Sequence, residues 1–483
     1  MIAASQPILS CDEARALEAR IFGGDEAEEG PAMQRAGRAV AAAVLRDFAE
    51  IGGFPADGRV LVLVGKGHNG GDALIAAQAV LEQFPRARAD VWFFFGEHVL
   101  RPLAARAWRE LVHAARERAG RVDAPAGNYD LCLDGVFGFQ FRPPAEARVA
   151  ARIEQVNAWP VRLRAAVDLP SAGLFRADFT YATGSVKTPV VDAAAGRVRY
   201  LDLGFFGAGE PGAARVLTPA VLAPLGALRA VRSDKRTYGH VCVVGGSRSY
   251  PGAVLMTVLA ALRSGAGLVT GFVPESLVAA FAARAPEAMW VGWPETPEGG
   301  LALEGQHLLA SRVARATALV IGPGLGREAE TLALVRDVVA TAPVPLVIDA
   351  DALQADIVGA GRAARVLTPH AGEWARIAGA APAAAVVVRK GPVTRVSGGA
   401  EVYHSFFGGP VLARGGSGDV LAGLIGGLLA QAPGDPLLAA ARGVVWHGLA
   451  ADALARAHGQ TAVQTTQVLD FLGAVLRDSA HEQ

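Results

Sequence analysis

Short, continuous apolar runs recur along this chain, and most of them stop at a glycine or an acid. Arg59-Val60-Leu61-Val62-Leu63-Val64 is the clearest. A run that is apolar on both alternating faces predicts a strand in the middle of a parallel sheet. It ends in Gly65-Lys66-Gly67-His68-Asn69-Gly70-Gly71-Asp72-Ala73, and Leu74 to Leu81 continue as helix. Strand, glycine turn, helix is the βα unit that binds anions. Further strands are predicted over Asp90 to Phe95, Tyr129 to Asp134 and Arg164 to Ser171, with a helix through Leu103, Ala107, Leu111 and Ala114. Ahead of them, Leu17, Ile21, Met33, Ala36, Val40 and Val44 give helical spacing from about Ser10 to Glu50, broken at Gly23-Gly24 and Gly30-Pro31.

The pattern loosens between Asp202 and Lys235, where Gly204, Gly207, Gly209, Pro211, Gly212, Pro219 and Pro224 fall. A domain boundary is expected here, giving residues 1–222 and 223–483. The α/β rhythm then restarts. Strands are predicted before Gly245-Gly246-Ser247, before Gly322-Pro323-Gly324-Leu325-Gly326, over Pro345 to Asp349, over Arg365 to Pro369 and over Ala385 to Arg389, with an Ala-rich helix from Gly252 to Leu262. The expected class is α/β, with a doubly wound N-terminal domain.

Composition narrows the picture only where it excludes something. The chain has 483 residues, too many for one ordinary core. Its formal net charge is zero, so nothing steers it to nucleic acid or an anionic membrane. Three scattered cysteines, Cys11, Cys132 and Cys242, suggest a reducing compartment, which agrees with a cytoplasmic location, and offer neither a disulfide framework nor a zinc site. The first residues lack a signal-peptide pattern, and no uncharged apolar run of about 18 residues is present.

Candidate chemistry gathers in Arg414-Gly415-Gly416-Ser417-Gly418-Asp419, just before the apolar helical run Val420 to Ile425. Glycines let successive N–H groups converge, and the helix adds its positive end, so the spot favours a phosphate. Asp419 stands at the first turn, placed to take a proton from a hydroxyl that attacks a phosphoryl centre. Taken alone, the stretch also reads as a glycine turn with an Asp cap. Asn69, Asp134, Asp168 and Ser171 all fall at C-terminal strand ends, the ligand-binding edge of a doubly wound sheet, where oxygen ligands suit a hard cation and a sugar or phosphate. Each acid there could equally cap a turn. His370 follows a proline at a strand end and is read as a substrate contact. Lys390 is either solvated or a phosphate contact.

These motifs resemble a known family. The N-terminal half is similar to the NAD(P)H-hydrate epimerase domain. The C-terminal half is similar to the ADP-dependent NAD(P)H-hydrate dehydratase, whose fold is ribokinase-like. Together they resemble the bifunctional NAD(P)H-hydrate repair enzymes over nearly the whole chain. The dehydratase likeness is carried by Lys235-Arg236-Thr237-Tyr238-Gly239, Gly245-Gly246-Ser247, Pro251-Gly252-Ala253, Arg263-Ser264-Gly265-Ala266-Gly267, Gly322 to Gly326, Asp349-Ala350-Asp351-Ala352-Leu353, Leu367-Thr368-Pro369-His370 and Gly415 to Asp419. The resemblance implies that Ala253, Gly324, His370 and Asp419 contact the hydrated nicotinamide nucleotide. It implies that Lys390, Gly391, Pro392, Val393, Thr394 and Gly418 hold the adenine nucleotide. The chain departs from the pattern at Pro392 and Val393, and at Arg414, where a Thr is common.

In the epimerase half the family's Asn-Asn-Gly-Gly-Asp-Gly reads His68-Asn69-Gly70-Gly71-Asp72-Ala73, and Asp-Ile-Pro-Ser-Gly reads Asp168-Leu169-Pro170-Ser171-Ala172. Asn69, Asp134 and Ser171 would bind potassium. His68, Asn69, Gly70, Gly71 and Asp72, the stretch Gly138, Phe139, Gln140, Phe141, Arg142, Pro143 and Pro144, and Asp168 would bind the hydrate. The segment Gly173 to Val190 is altered.

The implied chemistry is repair of damaged cofactor. The hydrate carries a hydroxyl on the carbon beside the ring nitrogen. Asp419 and Asp168 are the catalytic candidates, Asp168 as acid–base group for epimerisation of the R and S forms. ADP is the implied phosphate donor, with Mg2+ in the dehydratase domain and K+ in the epimerase domain. Small molecules are the expected partners, with no nucleic acid and no membrane, and a homo-oligomer, a tetramer among the forms considered, is expected. The competing reading is a ribokinase-like small-molecule kinase with a non-catalytic nucleotide-binding N-terminal domain.

Overall fold

The computed structural model describes residues 1–192, 195–207 and 212–481. Gly209 and Pro211, read above as boundary punctuation, lie outside them. The chain divides into two compact units, one of residues 6–212 with 455–460, the other of residues 1–5, 213–454 and 461–483.

In the N-terminal unit the apolar runs become β1 (Arg59–Val64), β2 (Arg88–Phe93), β3 (Ala119–Arg121), β4 (Tyr129–Gly135), β5 (Val161–Val167), β6 (Phe179–Thr183) and β7 (Arg197–Leu201). They form one seven-stranded sheet in the order β3-β2-β1-β4-β5-β6-β7, parallel throughout. Alternation explains the burial of β1 on both faces. Val60, Val62 and Val64 pack with the helices Glu26–Phe48 and His68–Gln83, while Leu61 and Leu63 pack with Trp92, Val149 and Ile153. The order reverses between β1 and β4, and a doubly wound sheet opens a crevice at such a switch.

Two local expectations need correcting. Gly23-Gly24 does separate the helix Cys11–Phe22 from the next, but the helix Glu26–Phe48 runs through Pro31. Pro31, sixth in this helix, forgoes the bond that its N–H would make to the Ala27 carbonyl, and the helix continues past it. The strand expected to reach Ser171 stops at Val167, because Asp168 turns the backbone left-handed at φ 66°.

The C-terminal unit contains β8 (Ala214–Leu217), β9 (His240–Val244), β10 (Leu268–Pro274), β11 (Met289–Trp293), β12 (Ala318–Ile321), β13 (Leu346–Ile348), β14 (Arg365–Leu367), β15 (Val386–Arg389), β16 (Thr394–Gly398) and β17 (Glu401–Ser405). Their order is β11-β10-β9-β12-β13-β14-β15-β16-β17-β8. Pairing is parallel from β11 to β15, antiparallel on both sides of β16, and parallel again between β17 and β8. Here the order reverses between β9 and β12, whose exits are Gly245-Gly246 and Gly322-Pro323-Gly324.

The helix Ser417–Gln431 lies very close to this sheet and to the helix Pro251–Arg263. A side chain at Gly423 would meet the Thr257 carbonyl, one at Gly426 would meet Val320, and one at Gly427 would meet Ser264. Among the described residues no helix is long and apolar enough to cross a membrane.

Candidate active sites

At the exit of β1 and β4 the N-terminal unit holds a cavity of about 560 Å³. His68, Asn69 and Asp72 line it from the helix His68–Gln83, and Gly138 to Arg142 and Pro144 line it from the loop after β4. Asp168 lines it from the end of β5. Gly70 and Gly71 serve packing instead: a Cβ would come within 2.7 Å of the Gly65 carbonyl or 2.5 Å of Met33 Sδ.

Asn69, Asp134 and Ser171 meet around one peptide. Asn69 Nδ2 donates to the Phe137 carbonyl at 2.9 Å, while the Phe137 N–H donates to Ser171 Oγ at 2.9 Å. Ser171 in turn donates to Asp134 from Oγ at 2.6 Å and from its backbone N–H at 2.8 Å. Asp134 is fully buried, and burial outweighs these bonds, pushing its carboxyl up to about 6. A buried carboxyl among neutral oxygen groups is a site that a monovalent hard cation fits.

Asp168 is buried and makes an ion pair of 2.5 Å with Lys187, whose Nζ also donates to the Thr183 carbonyl at 3.0 Å. The second oxygen of Asp168 accepts the Phe139 N–H at 3.3 Å. Lys187 and Glu18 are cavity residues that motif reading passes over. A signal for Lys187 does exist, since a lone lysine inside Ser185-Val186-Lys187-Thr188-Pro189-Val190 is unusual in an apolar stretch. Glu18 has none, because it sits on an ordinary amphipathic helix.

The C-terminal site forms at the glycine turn. Gly416 has φ 88°, which a residue with a side chain adopts only under strain, and it starts the helix that carries Asp419 in its first turn. A Cβ on Gly418 would lie 3.0 Å from Lys390 Nζ, so the bare backbone lets the ammonium close onto the helix end. Lys390 Nζ donates to Asp349 Oδ1 at 2.9 Å and lies 4.0 Å from Glu373 Oε2. Burial works against its charge, but Asp349 and Glu373 hold its affinity for a proton above the ordinary lysine range. Thr368 donates a further bond of 2.7 Å to Asp349. Burial first, then Asp349, push the Asp419 carboxyl up to about 6, with Lys390 pulling the other way.

His370 caps the helix Ala371–Ile377. Its Nδ1 accepts from the Gly372 and Glu373 N–H groups at 3.0 and 3.3 Å, and Glu373 accepts the His370 N–H at 2.8 Å. The ring is nonetheless 58% exposed. Ala253 and Gly324 are neighbours, a Cβ on Gly324 lying 3.0 Å from that of Ala253. Lys390 leaves β15 and Thr394 opens β16, so Gly391, Pro392 and Val393 make the turn between them. Arg414 turns away from the glycines and donates to the Thr461 carbonyl at 2.7 Å. Among the described residues no group of three or more His, Cys, Asp or Glu side chains is arranged to hold a metal ion.

Comparison with known proteins joins the two sites. A family model described as NAD(P)H-hydrate dehydratase matches residues 241–473, and one described as YjeF-related protein N-terminus matches residues 30–195. The bifunctional NAD(P)H-hydrate repair enzyme of Moorella thermoacetica is 34% identical over 498 aligned positions, covering 93% of this chain and 93% of its own. That of Gloeobacter violaceus is 38% identical, over 93% of this chain and 94% of its own. Among solved structures, an ADP/ATP-dependent NAD(P)H-hydrate dehydratase from Bacillus subtilis, co-crystallized with ATP/Mg2+, shares 27% identity at a TM-score of 0.47. It covers 55% of this chain and 98% of its own.

Proposed function

This chain belongs to the bifunctional NAD(P)H-hydrate repair enzymes, and from that membership we propose how its residues divide the work. It is an epimerase and a dehydratase of hydrated NAD(P)H. We assign epimerisation to residues 1–222 and dehydration of the S form to the ribokinase-like residues 223–483.

The dehydration reading is carried by one observation: a carboxylate, an ammonium and a glycine-lined helix end meet at Asp419, Lys390 and Gly418. Direct loss of the hydroxyl would expel hydroxide, a poor leaving group. In the proposed route Asp419 takes the hydroxyl proton as the oxygen attacks the β-phosphorus of ADP, releasing AMP. The oxygen then leaves as phosphate, the ring nitrogen lone pair closes the N=C bond, and loss of the neighbouring carbon's proton restores the dihydronicotinamide. The N–H groups of Gly415 to Gly418 and the helix dipole hold the transferring charge, and Lys390 to Thr394 hold the nucleotide. Ala253, Gly324 and His370 contact the hydrate. Carboxylates near Lys390 together with the ADP phosphates suit Mg2+, which supplies charge neutralisation during transfer.

In the N-terminal cavity His68, Asn69 and Asp72, Gly138 to Arg142, Pro144 and Asp168 bind the hydrate. The oxygens of Asn69, Asp134 and Ser171 would hold K+, which offsets the buried Asp134 charge.

The test is recovery of reduced-nicotinamide absorbance from a racemic hydrate of NADH, with the purified chain, ADP, magnesium and potassium. Complete recovery, faster than uncatalysed epimerisation allows, is expected. A halt near half would overturn the epimerase assignment, and no recovery with any nucleotide would overturn the dehydratase assignment.

A further inference from the structure

Five carboxyls line the N-terminal cavity, Glu18, Glu29, Asp72, Glu146 and Asp168, and two of them, Asp72 and Asp168, have opposite surroundings. Asp168 is fully engaged. One oxygen holds Lys187, the other accepts the Phe139 N–H, and a left-handed backbone fixes the residue between them. Its charge is compensated by the Lys187 ammonium. Asp72 is the reverse. It stands on the helix His68–Gln83, lines the same cavity, and its Oδ1 is sealed from solvent without a hydrogen-bond partner. A charged carboxylate with one oxygen sealed there and no cation of its own is costly. Burial, then the charges of Asp168 and Glu18, push the Asp72 carboxyl well above the ordinary range, and Lys187 only partly offsets them. A carboxyl with a sealed, unpartnered oxygen beside one held in an ion pair separates an acid from a fixed anion.

We propose that Asp72 is the residue that carries the proton in epimerisation, and that Asp168, bound to Lys187, is the fixed anion facing the cation formed on the ring. This rests on reading the cavity as the epimerase site. In the first step the hydroxyl oxygen takes the Asp72 proton and the carbon–oxygen bond breaks, its electron pair leaving with water. The ring nitrogen lone pair becomes the N=C bond, and the positive charge faces Asp168. Water then adds to the planar carbon. Its lone pair forms the new carbon–oxygen bond, the N=C pair returns to nitrogen, and the surplus proton goes to the Asp72 carboxylate. Addition to the opposite face gives the other epimer, and nothing is consumed. The assignment moves the acid–base role expected of Asp168 to a residue whose motif position implied only binding.

The experiment follows oxygen exchange. The full chain is incubated with the S hydrate of NADH in 18O water without ADP, and label and epimer ratio are read together. Wild type is expected to gain label as it epimerises. Asp72→Asn should lower both rates at least about a hundredfold, the usual scale for losing a general acid, while ADP-driven dehydration of the S hydrate continues. Exchange by Asp72→Asn within threefold of wild type overturns the assignment. Asp72→Glu keeps the acid and should stay within about tenfold of wild type. It decides the matter if the Asn variant does not fold: an Asp72→Glu chain that dehydrates normally but exchanges no oxygen also overturns it. Wild type that neither exchanges nor epimerises removes the epimerase reading itself, a separate result.

Discussion

Two carboxylates show how far a residue's surroundings decide its work. Asp419, raised to about 6, is ionised at neutral pH yet basic enough to accept a proton. Dehydration should therefore be level above about pH 6 and fall roughly tenfold per unit below it, since the protonated form cannot act as base. Asp419→Asn should lower ADP-driven turnover by at least about a hundredfold and leave epimerisation intact. Loss of both activities together would refute the separation of roles. At Asp168 the decisive neighbour is Lys187. Lys187→Met would leave a buried, unpaired carboxylate, a change that costs about 3–5 kcal/mol. Thermal unfolding should show that loss, and Asp168→Asn in the same chain should restore stability without restoring epimerisation. Asp419 was legible in sequence because glycines and an apolar helix frame it. The partnership of Asp168 with Lys187 was not, because no spacing rule links a strand exit to a lysine nineteen positions later.

Among elements, those whose burial is uniform were the legible ones. β1 after its first residue, β12 and β13 are apolar on both faces and stand in the sheet where expected. The strands that escaped notice include β3, which is Ala-Gly-Arg, β6, β7, β8 and β11, whose Thr, Arg or Gly residues break any apolar run, and β16 and β17, whose partly exposed polar residues pair antiparallel. Exposure on one side removes the continuous apolar run that marks a buried parallel strand. Glycines within the helix Ser417–Gln431 carry their own expectation. Gly423→Ala would press a methyl against the Thr257 carbonyl and should destabilise by about 1–3 kcal/mol, read as a lower denaturant midpoint. Gly418→Ala presses only on the mobile end of Lys390, so the helix should persist while KM for ADP rises. Unchanged nucleotide binding in that variant would show that Lys390 does not sit against the helix end during catalysis.

For the whole molecule, the chain's two units are not two consecutive segments. Residues 455–460 belong with the N-terminal unit, where Arg456 donates to Asp47 at 2.9 Å and Gln460 to Glu50 at 2.5 Å. Both acids are buried. Burial alone would raise the Asp47 carboxyl, but Arg199 and Arg456 outweigh it and hold it below the ordinary range. A carboxyl depressed in this way stabilises the unit above its unfolded value near 4 and loses that contribution as pH falls through its folded one. Arg456→Met should therefore lower the stability of the N-terminal unit at neutral pH, and the deficit should shrink on acidification. A fragment of residues 1–222 lacks these partners and should melt earlier than the same unit in the full chain. No periodicity reveals such an exchange, because the end of the helix Pro436–His458 reads as helix wherever it packs.

The exchange also bears on biosynthesis. Domains made first usually fold first, while the ribosome is still at work on the rest. Here the N-terminal unit waits for residues 455–460, which follow the whole of the C-terminal sheet in the chain. Ile2 waits as well, since its N–H donates to the Tyr403 hydroxyl at 2.9 Å. Each unit thus takes residues from across the other in the chain, and a nascent chain that stops before residue 455 would hold an N-terminal unit without its Arg456 and Gln460 contacts.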